Sequence, residues 1–225
     1  NIKRHLDLNH GNQAGRIYRI ASIENEVEHD RSLGGLSADS LVKVLAHPNG
    51  WHRDTASRLL IERPDSTTKE SLFSLFRETP NDLARVHALY ILNSHSWLGS
   101  KEIEAGLADS SPVVRIHSLR LLELQNEELD SHLEKLVSSL VLDPDERVVH
   151  QVPLSLGYLR YSNRLSDLYR LSKRCGDKPW LQFAVLNSMG SDLPKVWEKI
   201  VNDLGFWNQS EKRQQFIDIA TLASS

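Results

Sequence analysis

The sequence holds one cysteine and one methionine, and its longest apolar runs are short. One thiol, Cys175, cannot form a disulfide within the chain, so cysteine content does not report the redox compartment. Apolar runs such as residues 136–142 fall far short of the roughly 20 residues that a membrane-spanning helix needs. A formal net charge of −3 gives no overall attraction for nucleic acid or an anionic membrane. The composition therefore predicts neither a nucleic acid partner nor direct membrane insertion.

Motifs that carry chemistry are missing as well. The sequence has no glycine-rich phosphate loop, no Gly-x-Ser-x-Gly elbow, no His-Glu-x-x-His and no paired cysteines. Three of the ten histidines, His87, His117 and His150, recur at intervals that place them on successive helices, roughly 10 Å apart. At that separation they cannot share one ion, so locally hydrogen-bonded histidines are favoured. We expect no cofactor, no metal and no catalytic residue in this chain.

The sequence does contain a repeated pattern, in which an arginine or its substitute recurs about every 30 to 34 residues. Arg53, Arg85 and Arg115 stand 85 − 53 = 32 and 115 − 85 = 30 residues apart. Val149, Gln182 and Arg213 continue the register. Small or apolar residues follow each anchor at offsets of three and seven, which places a stripe on one helical face. The period predicts stacked helical hairpins in which the arginines are structural anchors, with Asp109 and Asp143 as candidate partners.

The first 35 residues differ from the rest. Residues 9–15 are rich in turn formers, and residues 16–20 have the β-branched and aromatic content of a short strand. We therefore predict an N-terminal extended segment and linker over residues 1–35 and a helical repeat domain over residues 36–225. No apolar leader region follows the basic start of the chain, so the sequence shows no signal peptide. The absence of a starting methionine indicates a mature or excised segment rather than a whole gene product.

The helical period gives six hairpins, in which a proline lies just before or at the start of most second helices. The first hairpin begins at a Ser37 or Asp39 cap and continues with a second helix over residues 51–62. Pro153 falls inside one second helix and is expected to bend it. The predicted later pairs are 67–78 with 82–93, 101–108 with 112–124, 127–142 with 145–159, 162–173 with 179–189, and 194–203 with 209–223.

Paired helices, proline turns and a recurring arginine resemble HEAT repeats. The resemblance implies an all-α fold, an α-solenoid that winds as a right-handed superhelix of about six hairpins. A narrower resemblance rests on residues 3–8, 15–20 and 47–56, the last reading His-Pro-Asn-Gly-Trp-His-Arg-Asp-Thr-Ala. These stretches are similar to the end of the propeller and the following helical segment of large membrane-bound dehydrogenases from planctomycete-type bacteria. That family also carries a haem-binding Cys-x-x-Cys-His motif.

The narrower resemblance implies a connector between an oxidoreductase propeller and a haem domain, in a periplasmic or otherwise extracytoplasmic protein. No catalytic residue of the family matches a position here, and Cys175 lacks the second cysteine and the histidine that haem attachment needs. The leading hypothesis is a non-catalytic scaffold that contacts proteins or neighbouring domains. The alternative is part of an oxidoreductase whose catalytic propeller and haem domain lie outside this chain. A phycobilin-lyase-like HEAT enzyme is a weaker third reading, because no bilin-handling cleft can be picked out.

Polar side chains beside the anchors are the candidate interaction residues. His52 comes one position before its anchor, whereas His87 and His117 come two positions after theirs. These side chains should line the curved inner face that the second helices mainly form. The tryptophans, among them Trp51 and Trp180, are expected mainly to fill gaps between layers. Trp207 is the one expected to be exposed or to cap the end of the array.

Overall fold

The computed structural model describes residues 32–125, 128–175, 178–203, 205 and 221. This part of the chain is all-α, and its one strand-like feature is an isolated bridge between Glu128 and Arg160. Its eleven helices are α1 (Ala38–Val44), α2 (Gly50–Glu62), α3 (Thr68–Glu78), α4 (Asp82–Ser94), α5 (Ser100–Leu107), α6 (Pro112–Gln125), α7 (Ser131–Leu140), α8 (Glu146–Leu156), α9 (Arg164–Arg174), α10 (Pro179–Met189) and α11 (Leu193–Val201).

The helices begin and end close to the residues that the sequence predicts, and α10 matches at both ends. The largest difference is at α7, which begins four residues later than expected. There the chain at Glu128 bridges to Arg160, and the Asp130 side chain accepts hydrogen bonds from the amides of His132 and Leu133. A side-chain cap of this kind fixes where a helix starts.

Each pair of helices packs mainly against the next pair along the chain. The second helices of the hairpins, α2, α4, α6, α8 and α10, contact one another in that order. On the other side of the core, α1 contacts α3, α5 contacts α7, and α9 contacts α11. Contacts that run from each hairpin to its neighbours are typical of a solenoid. The structure therefore confirms an all-α, solenoid-like fold, while the handedness of the superhelix stays a prediction.

The core is built from residues at fixed sequence offsets from the anchors. At offsets of three and seven, every described position is buried. These positions are Ala56, Ala88, Ser118, Val152 and Val185, and Leu60, Leu92, Leu122, Leu156 and Met189. Phe216 and Ala220, which continue the two series, lie outside the described residues.

One hairpin is packed closely enough to require glycine. Gly106 of α5 lies against Ser118 of α6, and a Cβ built at position 106 would stand 2.1 Å from the Ser118 Oγ. It would also be 3.0 Å from the Ser118 Cβ. The two helices approach so closely because neither residue carries a larger side chain at their contact.

The arginine anchors hold the turns between the two helices of a hairpin. Each donates to the carbonyl of the residue six positions earlier, which we name the turn residue. Arg53 Nη1 lies 2.7 Å from the His47 carbonyl, and Arg85 Nη1 lies 2.7 Å from that of Thr79. Arg115 Nη1 lies 2.7 Å from the carbonyl of Asp109. Turn carbonyls that no helix can satisfy thereby gain a charged donor.

The turn residue also closes its own turn with its side chain. His47 Nδ1, Thr79 Oγ1, Asp109 Oδ1 and Asp143 Oδ1 each accept from the backbone amide two residues later. Where the turn residue is an aspartate, its carboxylate also binds the arginine of the preceding hairpin. Arg85 Nη2 is 2.9 Å from Asp109 Oδ1, and Arg115 Nε and Nη2 are both 2.8 Å from the Asp143 carboxylate. The partners expected from the sequence are the ones found.

The fourth hairpin keeps this arrangement without an anchor arginine. Val149 occupies the anchor position and is buried. Arg174, at the end of α9, instead donates to the carbonyls of Val141 and Asp143 at 2.7 and 3.0 Å. Pro153 lies inside α8, and the helix continues through it to Leu156. The next hairpin therefore supplies the donor that this turn needs.

Two expectations fall outside the described residues. They are the strand at residues 16–20 and the final helix at residues 209–223, which includes the Arg213 anchor. The described residues from Leu33 onward belong to one compact unit.

Candidate functional site

Exposed apolar side chains concentrate on one side of the molecule. Among the residues that the structure describes, nearly all the exposed large hydrophobic side chains lie on a second helix or directly after one. Leu142 and Val201 are the exceptions. We name the outward-facing side of α2, α4, α6, α8 and α10 the second-helix face. The candidate interaction residues that the sequence singled out, His52, His87 and His117, are on the same second helices.

The N-terminal half of the second-helix face carries polar contacts between helices beside the exposed Trp51, Ile61 and Leu83. His87 Nε2 of α4 lies 3.8 Å from Asp54 Oδ1 of α2. Burial is the main cause of the lowered pKa of His87; Asp54 opposes this effect and Arg53 adds to it. The half-buried imidazole is therefore held mainly in its neutral form at pH 7.

A second set of contacts joins α4 to α6. Tyr90 Oη and His117 Nδ1 are 3.0 Å apart, and the two rings meet edge to face. Burial lowers the pKa of His117, and the charges of Arg120 and His87 lower it further. Burial also raises the pKa of Tyr90. Both histidines that the sequence singled out are thus half-buried and take part in contacts between adjacent helices.

A third set of contacts joins α6 to α8. Arg120 Nε donates to Gln151 Oε1 at 2.9 Å. The Glu123 carboxylate accepts from Ser155 Oγ at 2.5 Å and from Gln151 Nε2 at 3.4 Å. Gln151 and Ser155 are buried, so these bonds satisfy polar groups that water does not reach.

Two of the contacts between second helices share one offset. The residue five positions after one anchor meets the residue two positions after the next anchor, as Tyr90 meets His117 and Arg120 meets Gln151. Applied to α8 and α10, this offset places Leu154 opposite Ala184, the neighbour of Phe183. The side chains at these two positions are apolar.

The C-terminal half of the second-helix face is apolar. Trp180 is 80% exposed and Tyr158 is 71% exposed, values that leave most of each ring in water. Residues spaced three or four apart share one side of a helix, which groups Leu154 with Tyr158 and Trp180 with Phe183. We name the following exposed residues the apolar patch: Leu124, Leu154, Tyr158, Trp180 and Phe183.

The structure corrects one expectation about the tryptophans. Trp51 is 54% exposed and Trp180 is still more so, whereas both were expected to fill gaps between layers. Each lies two positions before its anchor, on the first turn of a second helix, where the side chain points away from the core. Trp97 and Trp197 are partly buried against the core, as expected for residues at junctions. Trp207 lies outside the described residues.

His52 contacts aromatic rings of its own hairpin. Its ring stacks on that of His47 with 4.1 Å between centroids and meets Trp51 edge to face. It therefore belongs to the hairpin turn, while His87 and His117 belong to the helix stack. Of the predicted interaction residues that the structure describes, only the last two are brought close together.

Sequence reasoning did not find the apolar patch. Its members look like ordinary core residues, because Leu, Phe and Trp at helical spacing are usually buried. The signal was the anchor register: patch positions fall one, five and nine residues after an anchor, or two before it. At those positions the earlier hairpins carry residues such as Asp54, Arg58 and Glu62.

The described residues show no cluster of three or more histidine, cysteine or acidic side chains that could hold a metal ion. Cys175 is 1% exposed, and its Sγ lies 3.1 Å from the Leu171 carbonyl. Burial raises the pKa of this thiol to about 12. None of the helices in the described part of the chain is long and apolar enough to cross a bilayer.

The geometry of the site is that of a surface rather than of an enclosed chamber. One shallow groove runs between α2 and α4 and is lined by Asp54, Arg58, Ile61 and His87, among others. Comparison of this chain with protein-family models, with curated proteins and with solved structures finds no match.

Proposed function

We propose that this chain is a non-catalytic scaffold that contacts other proteins or neighbouring domains through its second-helix face. The observation that carries the proposal is the apolar patch on α6, α8 and α10. Singly scattered apolar residues are normal at a protein surface, whereas five large exposed ones on or next to three adjacent helices favour an interaction site. Aromatic residues are also the residue types that dominate binding energy in protein interfaces.

The packing of the second helices supports the same proposal. Cross-helix bonds fix Arg120, Gln151 and Glu123 in place, so α6 and α8, two of the three helices beneath the patch, are held in register. A rigid surface loses little conformational freedom when a partner binds. Large side chains on such a support are well suited to recognition, since the ordering cost has already been met during folding.

The sequence likeness to the dehydrogenase family indicates which partners to expect. We propose that the chain connects an oxidoreductase propeller to a haem domain in an exported protein, with the second-helix face in contact with one of them. The support is the sequence likeness over residues 3–8, 15–20 and 47–56. In this proposal the chain orients the propeller relative to the haem domain, and those two domains carry out the redox chemistry.

Site-specific photocrosslinking in the intact parent protein tests the proposal. Benzoylphenylalanine is placed at Phe183 in the apolar patch and, as the matched control, at Lys135, an exposed residue of the first helix α7. Mass spectrometry should map crosslinks from position 183 to a neighbouring domain and few or none from position 135. Equal crosslinking from the two positions, or none from position 183, would overturn the proposal.

A further inference from the structure

We propose that the junction between the first hairpin (α1–α2) and the second (α3–α4) is an opening joint. At this joint the first hairpin separates from the array more readily than neighbouring hairpins separate at the next three junctions. The cause lies in the turn residue of the second hairpin, which is Thr79, whereas the next two hairpins have an aspartate there. This inference goes beyond the proposed function, because it concerns motion within the array.

An arginine crosses each of the next three junctions with charge-assisted hydrogen bonds. Arg85 of the second hairpin binds Asp109 of the third at 2.9 Å, and Arg115 of the third binds Asp143 of the fourth at 2.8 Å. Arg174 of the fifth hairpin donates to two carbonyls in the turn of the fourth. Arg85 and Arg115 are buried, so separation at their junctions would break bonds between charges that are shielded from water.

The corresponding arginine of the first hairpin, Arg53, makes no such bond. Its Nη1 donates to carbonyls of its own turn, those of His47 and Pro48, at 2.7 and 2.8 Å. Its Nε is buried without a hydrogen-bond partner, and no carboxylate in the described part of the chain pairs with it. Thr79 Oγ1 accepts from the Asn81 amide at 3.2 Å, as the turn aspartates accept from theirs, but it brings no negative charge to the guanidinium.

The polar contacts that do cross the first junction are weaker in kind. Each of three hydrogen bonds has a neutral partner, and they join Asn81 to Ala46, His95 to Leu60, and Ser71 to Asp39. The contact between His87 and Asp54 spans 3.8 Å, and the Asp54 side chain is 77% exposed. Breaking contacts of these kinds leaves no buried charge without its partner, which is the costly result at the next two junctions.

The first hairpin is nevertheless docked in the folded state. Its helix α1 packs on α3, and α2 packs on α4. Opening is therefore a fluctuation, in which the first hairpin loses the neighbour that covers its apolar face. Short helices without such support are marginal in water, so the amides of α2 exchange with solvent during each opening.

Hydrogen exchange of the 225-residue chain, followed by mass spectrometry of its peptides, tests the inference. Peptides from α2 should exchange at least about ten-fold faster than peptides from α4, α6 and α8 under native conditions. Exchange of α2 at the rate of α4 would refute the inference.

Substitution of Thr79 separates the missing carboxylate from ordinary fraying at the end of an array. Thr79→Asp supplies the carboxylate that Asp109 and Asp143 supply in their turns, and it should slow the exchange of α2 about ten-fold. Thr79→Asn is the matched control, because its side chain also offers an oxygen to the Asn81 amide but carries no charge. Exchange of α8 should be the same in both variants. If the two variants exchange alike in α2, the missing carboxylate is not the cause and the inference is wrong.

Removal of the guanidinium completes the test. In an Arg53→Met background, Thr79→Asp and Thr79→Asn should give equal exchange of α2, since the new carboxylate then has no cation to bind. An advantage of Thr79→Asp that survives there would contradict the pairing with Arg53. Thermal unfolding shows whether each variant is folded; if Arg53→Met is not, the two Thr79 variants alone decide the inference. None of these results depends on crosslinking from position 183, so the scaffold proposal is judged separately.

Discussion

The Arg115–Asp143 pair gives the sharpest test of what holds this fold together. Arg115 is 9% exposed and Asp143 is 4% exposed, so both charges are largely removed from water. Their two hydrogen bonds are 2.8 Å long, and Arg115 also donates to the carbonyls of Asp109 and Ser110. Arg115→Met keeps an apolar side chain of similar reach but leaves the Asp143 carboxylate without its cation.

Breaking one side of a buried ion pair costs about 3–5 kcal/mol, because the remaining charge stays desolvated. In a chain of this size, 1 kcal/mol moves the melting temperature by about 2–4 °C, so Arg115→Met should lower it by about 6–20 °C. Asp143→Leu should have an effect of the same size. The double variant leaves neither charge stranded, and it should be less destabilised than the sum of the single variants by about 2–3 kcal/mol.

Calorimetry of the three variants, with Arg58→Met as control, measures these changes in melting temperature and in the free energy of unfolding. Arg58 and Glu62 form an exposed pair on one helix, for which a change within about 0.5 kcal/mol is expected. If Arg115→Met were no more destabilising than Arg58→Met, or if the two single effects simply added, the buried arginine would not be what fastens neighbouring hairpins.

Three further predictions concern packing, reactivity and pH. Gly106→Ala should cost about 1–3 kcal/mol by overpacking against Ser118, whereas Gly35→Ala, with no atom within 4 Å, should be nearly neutral in the same urea titration. Cys175 should resist Ellman's reagent in the native protein at pH 8 and react fully in urea; rapid native labelling would contradict its burial. Because burial lowers the pKa of His117 in the folded state, the unfolded chain binds the proton more readily. The melting temperature should therefore fall as pH drops through about 6.5, and it should fall less in His117→Gln; an equal fall in both proteins would show that this histidine is not responsible.

The repeat register could be predicted from the sequence because it depends on local rules. The period of the anchors, the apolar offsets and the turn prolines together place α10 at its observed residues, Pro179–Met189. Helix bounds were least accurate at α7, where Glu128 reaches forward to Arg160. A contact between residues so far apart leaves no mark in a helical pattern.

The second-helix face was predicted only in part for a related reason. Placing His87 and His117 on it follows from their offsets from the anchors. That they contact Asp54 and Tyr90 depends on how adjacent helices are shifted along each other, which periodicity does not specify. The exposure of Trp180 and Phe183 was missed because residue type favours burial, while exposure depends on whether another helix covers the position.

Arg174 limits how this array can be shortened or rearranged. A chain that stopped after α8 would contain the whole α7–α8 hairpin, yet the carbonyls of Val141 and Asp143 would lose their donor. An acceptor that stays shielded from water and loses its partner costs about 1–3 kcal/mol. The fourth hairpin is therefore not a module that can be excised, duplicated or transplanted by itself. Any block that retains it must extend through the end of α9.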